Sequence, residues 1–351
     1  MKSLKYFLFV YITILVILNS TAFAEALPNY KLIDLGLLET DNSYANAIND
    51  QGQVLGRFED RGQWHTFLWD AKDGLKIIDL PNIISNPYSG EILLKLNNHG
   101  QIAGTYLRGN EHRTFLWDPI TGFFDIGSGF LKKLNDNGLI LYYELKSNED
   151  AYSIQLWDHG IVTNLTDIFK EQFPDFKRIE CVTLNNKNEV AVTAVKKNNQ
   201  NQIFKSFIFS SNQFLELLPG YNQTSSVIIK DFDDYGNMIV ETYDSSSSYK
   251  SYFMNPDAPF QAEIGFSYST IIRNKRPLVV WCIPSTLRCR FDGIFYFRFG
   301  AEISNLIKDK GIFRRIETDY IRDQNMHGQV VGQGQTIYPD QIHAFLAVPV
   351  E

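Results

Sequence analysis

The side chains best suited to chemistry are few and scattered. In 351 residues there are three cysteines and six histidines. Cys282 and Cys289 lie seven positions apart across Ile283-Pro-Ser-Thr286. In an oxidising compartment they could close a hairpin as a disulfide, or remain two reduced, half-buried thiols. Cys181 has no evident partner and reads as a small core residue. His65 and His343 fall at the same place in two related segments, with His112 one residue ahead of that place. Repetition in register marks a structural contact, because a catalytic centre needs unlike groups converging on one point. Trp69, Trp117 and Trp157 follow the same logic as apolar anchors. The unrepeated indoles, Trp64 and Trp281, are the exposed aromatic contacts that could stack on a sugar; ordinary packing is the other reading.

The acids of Asp231-Phe-Asp-Asp-Tyr-Gly236 alternate as in a calcium loop but lack the bidentate acid downstream, so no metal is expected. Ser245 to Ser248 reads as a hairpin tip, and Asn164-Leu-Thr166 and Asn222-Gln-Thr224 matter as glycan acceptors only in a eukaryotic secretory pathway. A nucleophile elbow, a metalloprotease helix, a phosphate loop and a dinucleotide fingerprint are all missing from the sequence. No cofactor is expected, and catalytic residues stay unknown. Carboxylates gathered from distant segments leave no local signature, so an enzyme is not excluded.

The elements that must position these residues are strands. Apolar and aromatic residues come in short runs punctuated by Asn, Asp and Gly, which is strand and turn patterning. One phrase recurs: Phe67-Leu-Trp-Asp70, Phe115-Leu-Trp-Asp118 and Gln155-Leu-Trp-Asp158. Weaker echoes follow at Phe207-Ile-Phe-Ser210, Tyr252-Phe-Met-Asn255, Phe295-Tyr-Phe-Arg298 and Ala344-Phe-Leu-Ala347. The period is about 45 residues, that of a repeat array. Ahead of each well-kept phrase stands an apolar residue, Asn or Asp, two polar residues and Gly, as in Ile48-Asn-Asp-Gln-Gly52, Leu96-Asn-Asn-His-Gly100, Leu134-Asn-Asp-Asn-Gly138 and Phe232-Asp-Asp-Tyr-Gly236. In Leu184-Asn-Asn-Lys-Asn188 the glycine is replaced by Asn, the next residue most tolerant of positive φ.

Each unit thus supplies four short antiparallel strands. A sheet of that size cannot bury both faces alone, so neighbours must stack, and radial stacking makes a β-propeller. The expected fold is all-β: a single domain over 25–351 forming a seven-bladed β-propeller of four-stranded antiparallel blades. The units are approximately 37–81, 82–128, 129–167, 168–219, 220–265, 266–307 and 308–351, with a spare strand at 30–36. The last unit stops after its third strand, while Tyr30-Lys-Leu-Ile-Asp-Leu-Gly36 matches the fourth-strand pattern of Ile77-Ile-Asp-Leu80. The N-terminal strand is therefore expected to close the ring by pairing with the last blade, at 31–35 against 345–348.

Met-Lys-Ser-Leu-Lys5, an apolar run from Tyr6 to Leu18 and Ala22-Phe-Ala24 make a signal peptide over 1–24. The run is about 13 residues, short of the ~20 that cross a bilayer as a helix. The mature chain is expected to be secreted or periplasmic with no membrane span. Losing Lys2 and Lys5 makes it two units more negative than the −7 of the full chain, which gives it no electrostatic reason to bind nucleic acid.

Asp34-Leu-Gly36, Ser43-Tyr-Ala45, Ile48-Asn49, Gly52-Gln-Val-Leu-Gly56 and His65-Thr-Phe-Leu-Trp69, with Gly328-Gln-Val-Val-Gly332 and His343-Ala-Phe345, resemble the HAF repeat family of bacterial proteins. The first, second and seventh units carry the likeness best; the third to sixth have drifted. The resemblance implies an exported repeat protein and brings no catalytic or ligand residues. The function expected is a binding module for a protein or glycan partner; the alternative is a glycan-active hydrolase or lyase with its site at the central channel.

Overall fold

Short aromatic and β-branched runs joined by tight polar turns can pair only with their immediate neighbours, and the topology follows from that constraint. A computed structural model describes residues 29–36, 42–81, 83, 93–145, 152–198, 201–217, 226–243, 249–255, 258–265, 270–273, 276–279, 290–291, 294–295, 307–309, 311, 313–338 and 340–350. The signal peptide, Trp281, Cys282, Cys289, Asn222 to Thr224 and Ser245 to Ser248 lie outside them. So does most of the phrase at 295–298.

After β1 (Asn29–Asp34) the chain runs through successive meanders. The first is β2 (Ser43–Ile48), β3 (Val54–Asp60), β4 (Gln63–Asp70) and β5 (Gly74–Ile78). The second is β6 (Leu94–Leu96), β7 (Ile102–Arg108), β8 (Glu111–Asp118) and β9 (Gly122–Ser128), and the third β10 (Phe130–Leu134), β11 (Ile140–Leu145), β12 (Tyr152–Asp158) and β13 (Ile161–Asn164). A helix, α1 (Leu165–Gln172), leads to the fourth, made of β14 (Arg178–Leu184), β15 (Val190–Asn198), β16 (Asn201–Ser210) and β17 (Gln213–Glu216). The fifth is β18 (Ser226–Phe232), β19 (Met238–Tyr243), β20 (Tyr249–Asn255) and β21 (Ala258–Gly265). All five are four-stranded, antiparallel and ordered as in the sequence.

The sixth region gives two two-stranded pieces, β22 (Thr270–Arg273) with β23 (Arg276–Val279) and β24 (Arg290–Phe291) with β25 (Ile294–Phe295). The last sheet joins both ends of the chain. β26 (Ile307–Asp309), β27 (Phe313–Gln324), β28 (Val330–Thr336) and β29 (Ile342–Val350) share it with β1, in the order β26-β1-β29-β28-β27. Lys31 sits opposite Val348 and Asp34 opposite Phe345, the pairing expected of the spare strand. The parallel addition of β26 outside β1 is an extra strand that the repeat does not announce.

Apolar clusters lie between sheets. Leu35, Ala45, Val54, Phe67, Val331 and Ala344 pack the first sheet on the last, while Leu55, Ile78, Leu94, Ile102 and Phe115 pack it on the second. Phe67, Phe115, Phe207 and Phe345, one from each of four third strands, are fully buried. The recurring phrase is thus anchored by its Phe, while Trp69, Trp117 and Trp157 pack at the half-buried cluster margins. Gly56 lies opposite Phe67 and Gly104 opposite Phe115; a Cβ on Gly104 would meet Leu94 at 2.8 Å and the Phe115 ring closer still. Asn164 caps α1, its Oδ1 accepting the N–H groups of Thr166 and Asp167 at 3.1 and 3.2 Å. The helix sends buried Phe169 into the cluster shared by the third and fourth sheets. Among the described residues no helix is long and apolar enough to cross a membrane.

Candidate functional site

The turn between the first two strands of each sheet builds the polar centre. Asn97 Oδ1 accepts the N–H groups of His99 and Gln101, both at 3.0 Å. Its amide nitrogen donates to the Asn135 carbonyl of the next sheet at 3.0 Å. The same inter-sheet bond runs from Asn49 to Asn97, from Asn135 to Asn185, from Asn185 to Asp233 and from Asn325 to Asn49. The positive φ these turns need falls on Gly52, Gly100, Gly138, Gly236 and Gly328, and on Asn188 (φ 65°) where the glycine is replaced.

One residue further on, Asp50, Asn98, Asp136, Asn186 and Asp234 alternate acid and amide. Asn98 Nδ2 donates to Asp50 at 2.8 Å and to Asp136 at 3.0 Å, and Asn186 Nδ2 donates to Asp136 at 2.9 Å. Each also accepts the N–H group of the preceding sheet's matching residue, as Asp234 does from Asn186 at 2.6 Å. Acids that would repel side by side are separated by donors.

Two residues before the turn Asn or Asp, the first strand presents Ala47, Lys95, Lys133, Thr183, Asp231 and Asp323. Unlike the turn residue, this position varies, holding Ala and Thr once each and Lys and Asp twice each. All of these except Thr183 line a cavity of about 150 Å³, together with Asn46, Asp136 and Arg322. The Lys133 ammonium reaches from the third sheet to Asp231 of the fifth at 3.1 Å. Thr183 Oγ1 of the fourth donates to the same carboxylate at 2.8 Å. Asp323 of the last sheet accepts the Ile48 N–H group of the first at 3.1 Å. Asp231 and Asp323 are buried, and Lys95 and Lys133 half-buried. The result is a polar cavity lined by both signs of charge and walled by six of the sheet regions. Its lining offers charge and hydrogen-bonding groups in place of an apolar surface.

The residues singled out from sequence are dispersed. Asp231 lies in the cavity wall; Asp233 is taken up by the turn, its Oδ1 accepting from the Tyr235 and Asn237 N–H groups. His343 is buried, its Nδ1 3.1 Å from Asp34 Oδ1, which ties the last strand to the first. His65 stacks on Phe58 and His112 packs on Phe130. Trp64 is 39% exposed and lies on a second cavity, away from the centre. Cys181 sits in β14. The set that sequence reasoning misses is the cavity-facing position; its signal is visible only when the units are aligned on their turns and the column is read for variation.

An all-β chain of stacked four-stranded meanders with this inner belt has β-propellers as its structural neighbours. No family model matches the sequence, and no curated protein is similar to it. The β-propeller domain of the Trilobed protease from Pyrococcus furiosus, described as having an open velcro topology, is similar with a TM-score of 0.54 at 11% identity, over 87% of this chain and 95% of that one. Acylaminoacyl peptidase in complex with Z-Gly-Gly-Phe-chloromethyl ketone follows at 0.51 and 9%, over 88% and 51%. TolB from Acinetobacter baumannii gives 0.35 and 13%, over 62% and 55%. The chain spans about half the length of the last two.

Proposed function

We propose that this is an exported protein of the HAF repeat kind, its leader 1–24 removed, whose mature part is a closed seven-bladed β-propeller acting as a binding module for a protein or glycan partner at the central cavity. The pairing of β1 with β29 supports closure, as does the Asn325-to-Asn49 bond, which joins the last sheet to the first as other neighbours are joined. The observation that carries the binding reading is the contrast between two nearby positions. The turn Asn or Asp is kept because it holds sheet to sheet, whereas the cavity-facing residue two places earlier varies from Ala to Lys, Thr and Asp. Variation on a rigid frame is how a scaffold acquires a specific surface.

Calorimetric titration of the mature chain against defined oligosaccharides and peptides tests this. A ligand whose affinity falls about tenfold in K95E with the thermal midpoint unchanged is the expected result, tenfold being the loss of one charge-assisted bond; equal binding by wild type and K95E overturns it. The acids Asp231 and Asp323, brought to one cavity from the fifth and last sheets, motivate the second reading, a glycan-active hydrolase or lyase. Product release from a polysaccharide that disappears in D323N would put that reading first.

A further inference from the structure

A second cavity, of about 240 Å³, opens between the first sheet and the segment that follows β5, lined by Arg57, Trp64, Thr66, Ile78, Leu80 and Ile83 among others. Arg57 is only 9% exposed. Among the described residues its guanidinium has no ion pair and no side-chain hydrogen bond; its one contact of this kind is the Trp64 ring, whose centroid lies 5.1 Å from Cζ. Nearby carboxylates among the described residues do not compensate it. Glu59, two residues along the strand, accepts from Asn42 at 3.3 Å, and Asp79 stands on the exposed rim of the cavity without reaching the guanidinium. Burial lowers the Arg57 pKa, with no carboxylate to oppose the shift, yet arginine stays protonated at neutral pH. A cation this little exposed, facing a cavity, is costly unless what fills the cavity supplies a partner.

Two of the other sheets show how this place can be closed by packing alone. Arg57 faces Thr66 across β3 and β4, one step beyond the Gly56–Phe67 pair. The matching pairs vary: Tyr143 with Ile154, Glu241 with Ser251 and Gln333 with Ala344 in three sheets, and small hydroxyls, Thr105 with Thr114 and Thr193 with Ser206, in the second and fourth. There the hydroxyls close the cleft: Thr105 Oγ1 accepts the Leu131 N–H group of the next sheet at 2.9 Å, and Thr193 Oγ1 accepts that of Ile229 at 3.1 Å. Thr114 and Ser206 donate to the Gly129 and Val227 carbonyls. In the first sheet an arginine stands at this place, and a cavity opens beside it. Beside it stand an indole held by Arg57 and by Tyr44, whose ring centroid is 5.4 Å away, the Thr66 hydroxyl, and an apolar wall of Ile78, Leu80 and Ile83.

We propose that this cleft binds a carboxylate-bearing sugar, the guanidinium fork pairing with the carboxylate while the ring packs on Trp64 and the apolar wall. A planar bidentate partner is what an unpaired guanidinium takes best, and an indole edge beside it favours a ring with an apolar face over a bare anion. The cleft is separate from the central cavity and stands on its own observations, so its failure leaves the reading of that cavity untouched.

The test is titration of the mature chain with trigalacturonate, with the neutral galactose trimer and with inorganic phosphate, following tryptophan fluorescence and heat. The expected result is binding of the uronate, with the neutral trimer and phosphate each about tenfold weaker or worse. R57M should abolish uronate binding and leave the thermal midpoint unchanged or raised, because it removes an uncompensated buried charge. W64A should weaken uronate binding while retaining the preference for the acid. The proposal is overturned by absence of uronate binding, by equal binding of the neutral trimer or of phosphate, or by full binding in R57M. It is equally overturned if R57M lowers the midpoint by more than about 4 °C, which makes the guanidinium structural.

Discussion

Replacing Asn97 with alanine is expected to unsettle the contact between the second and third sheets out of proportion to the atoms removed. The side chain is 3% exposed and makes four hydrogen bonds: to the His99 and Gln101 N–H groups, the Asn135 carbonyl and Gln101 Oε1. At about 1 kcal/mol each, the loss comes to about 4 kcal/mol before any penalty for buried groups left unpaired. For a chain of this size that is about 8 °C in thermal midpoint. Calorimetry and urea denaturation should both report it, with exposed Asn110 changed to alanine as the control near zero. The fifth sheet supplies a sharper version. There Asp233 stands where the other turns have Asn, and the residue four places on has become a donor: Asn237 Nδ2 donates to Asp233 Oδ2 at 2.8 Å. N97D alone should therefore be at least as damaging as N97A, and N97D/Q101N should recover part of the loss. A midpoint drop under about 2 °C in N97A, or additive effects of N97D and Q101N in the double variant, refutes the idea that the turn asparagine joins the sheets.

G56A should cost about 3 kcal/mol or more, since the new Cβ would lie 2.6 Å from the Tyr44 carbonyl oxygen and against the Phe67 ring; partial rescue by F67L, read by denaturation, identifies the ring as the obstacle. The Asp118 carboxyl is held below its ordinary range first by the Gln101 amide and then by the N–H groups of Thr121 and Ile120. A carboxylate depressed on folding stabilises above its unfolded pKa, so this contribution is present at neutral pH and is lost as pH falls through and below about 4. D118N should flatten that part of the stability profile, and an unchanged acid limb counts against it. Export of the full chain in a bacterial host should yield a mature protein whose first residue is Glu25; recovery of the intact leader on the folded protein refutes cleavage.

What can be read from sequence and what cannot separate along physical lines. Third strands announce themselves because Phe67, Phe115 and Phe207 must be large and buried, and the turns because Gly52 or Asn188 must take positive φ. Helix α1 escapes a reading of the repeat because eight residues between two sheets leave no long periodic pattern, although Asn164 three places before Asp167 is a capping signal; Asn164 serves there as a cap. Asp231 reads locally as part of an acidic loop, while its partners Lys133 and Thr183 come from other sheets, and no local window contains them. Arg57 is hidden for a similar reason. An arginine in a polar strand position reads as solvent-facing, and only the cross-strand Trp64 and the segment after β5 enclose it.

The pairing of β1 with β29 also sets an order of events. The strand at Asn29–Asp34 has no finished sheet to join until residue 350 has emerged, because its partner lies more than 300 residues further along the chain. Through synthesis and any crossing of a membrane, that strand must therefore wait as an unpaired edge while the sheets between form from contacts close in sequence. Folding divides into many local steps that proceed along the chain and one step of very long range that joins its two ends, so removal of β29 should leave the middle sheets formed but β1 exposed to protease.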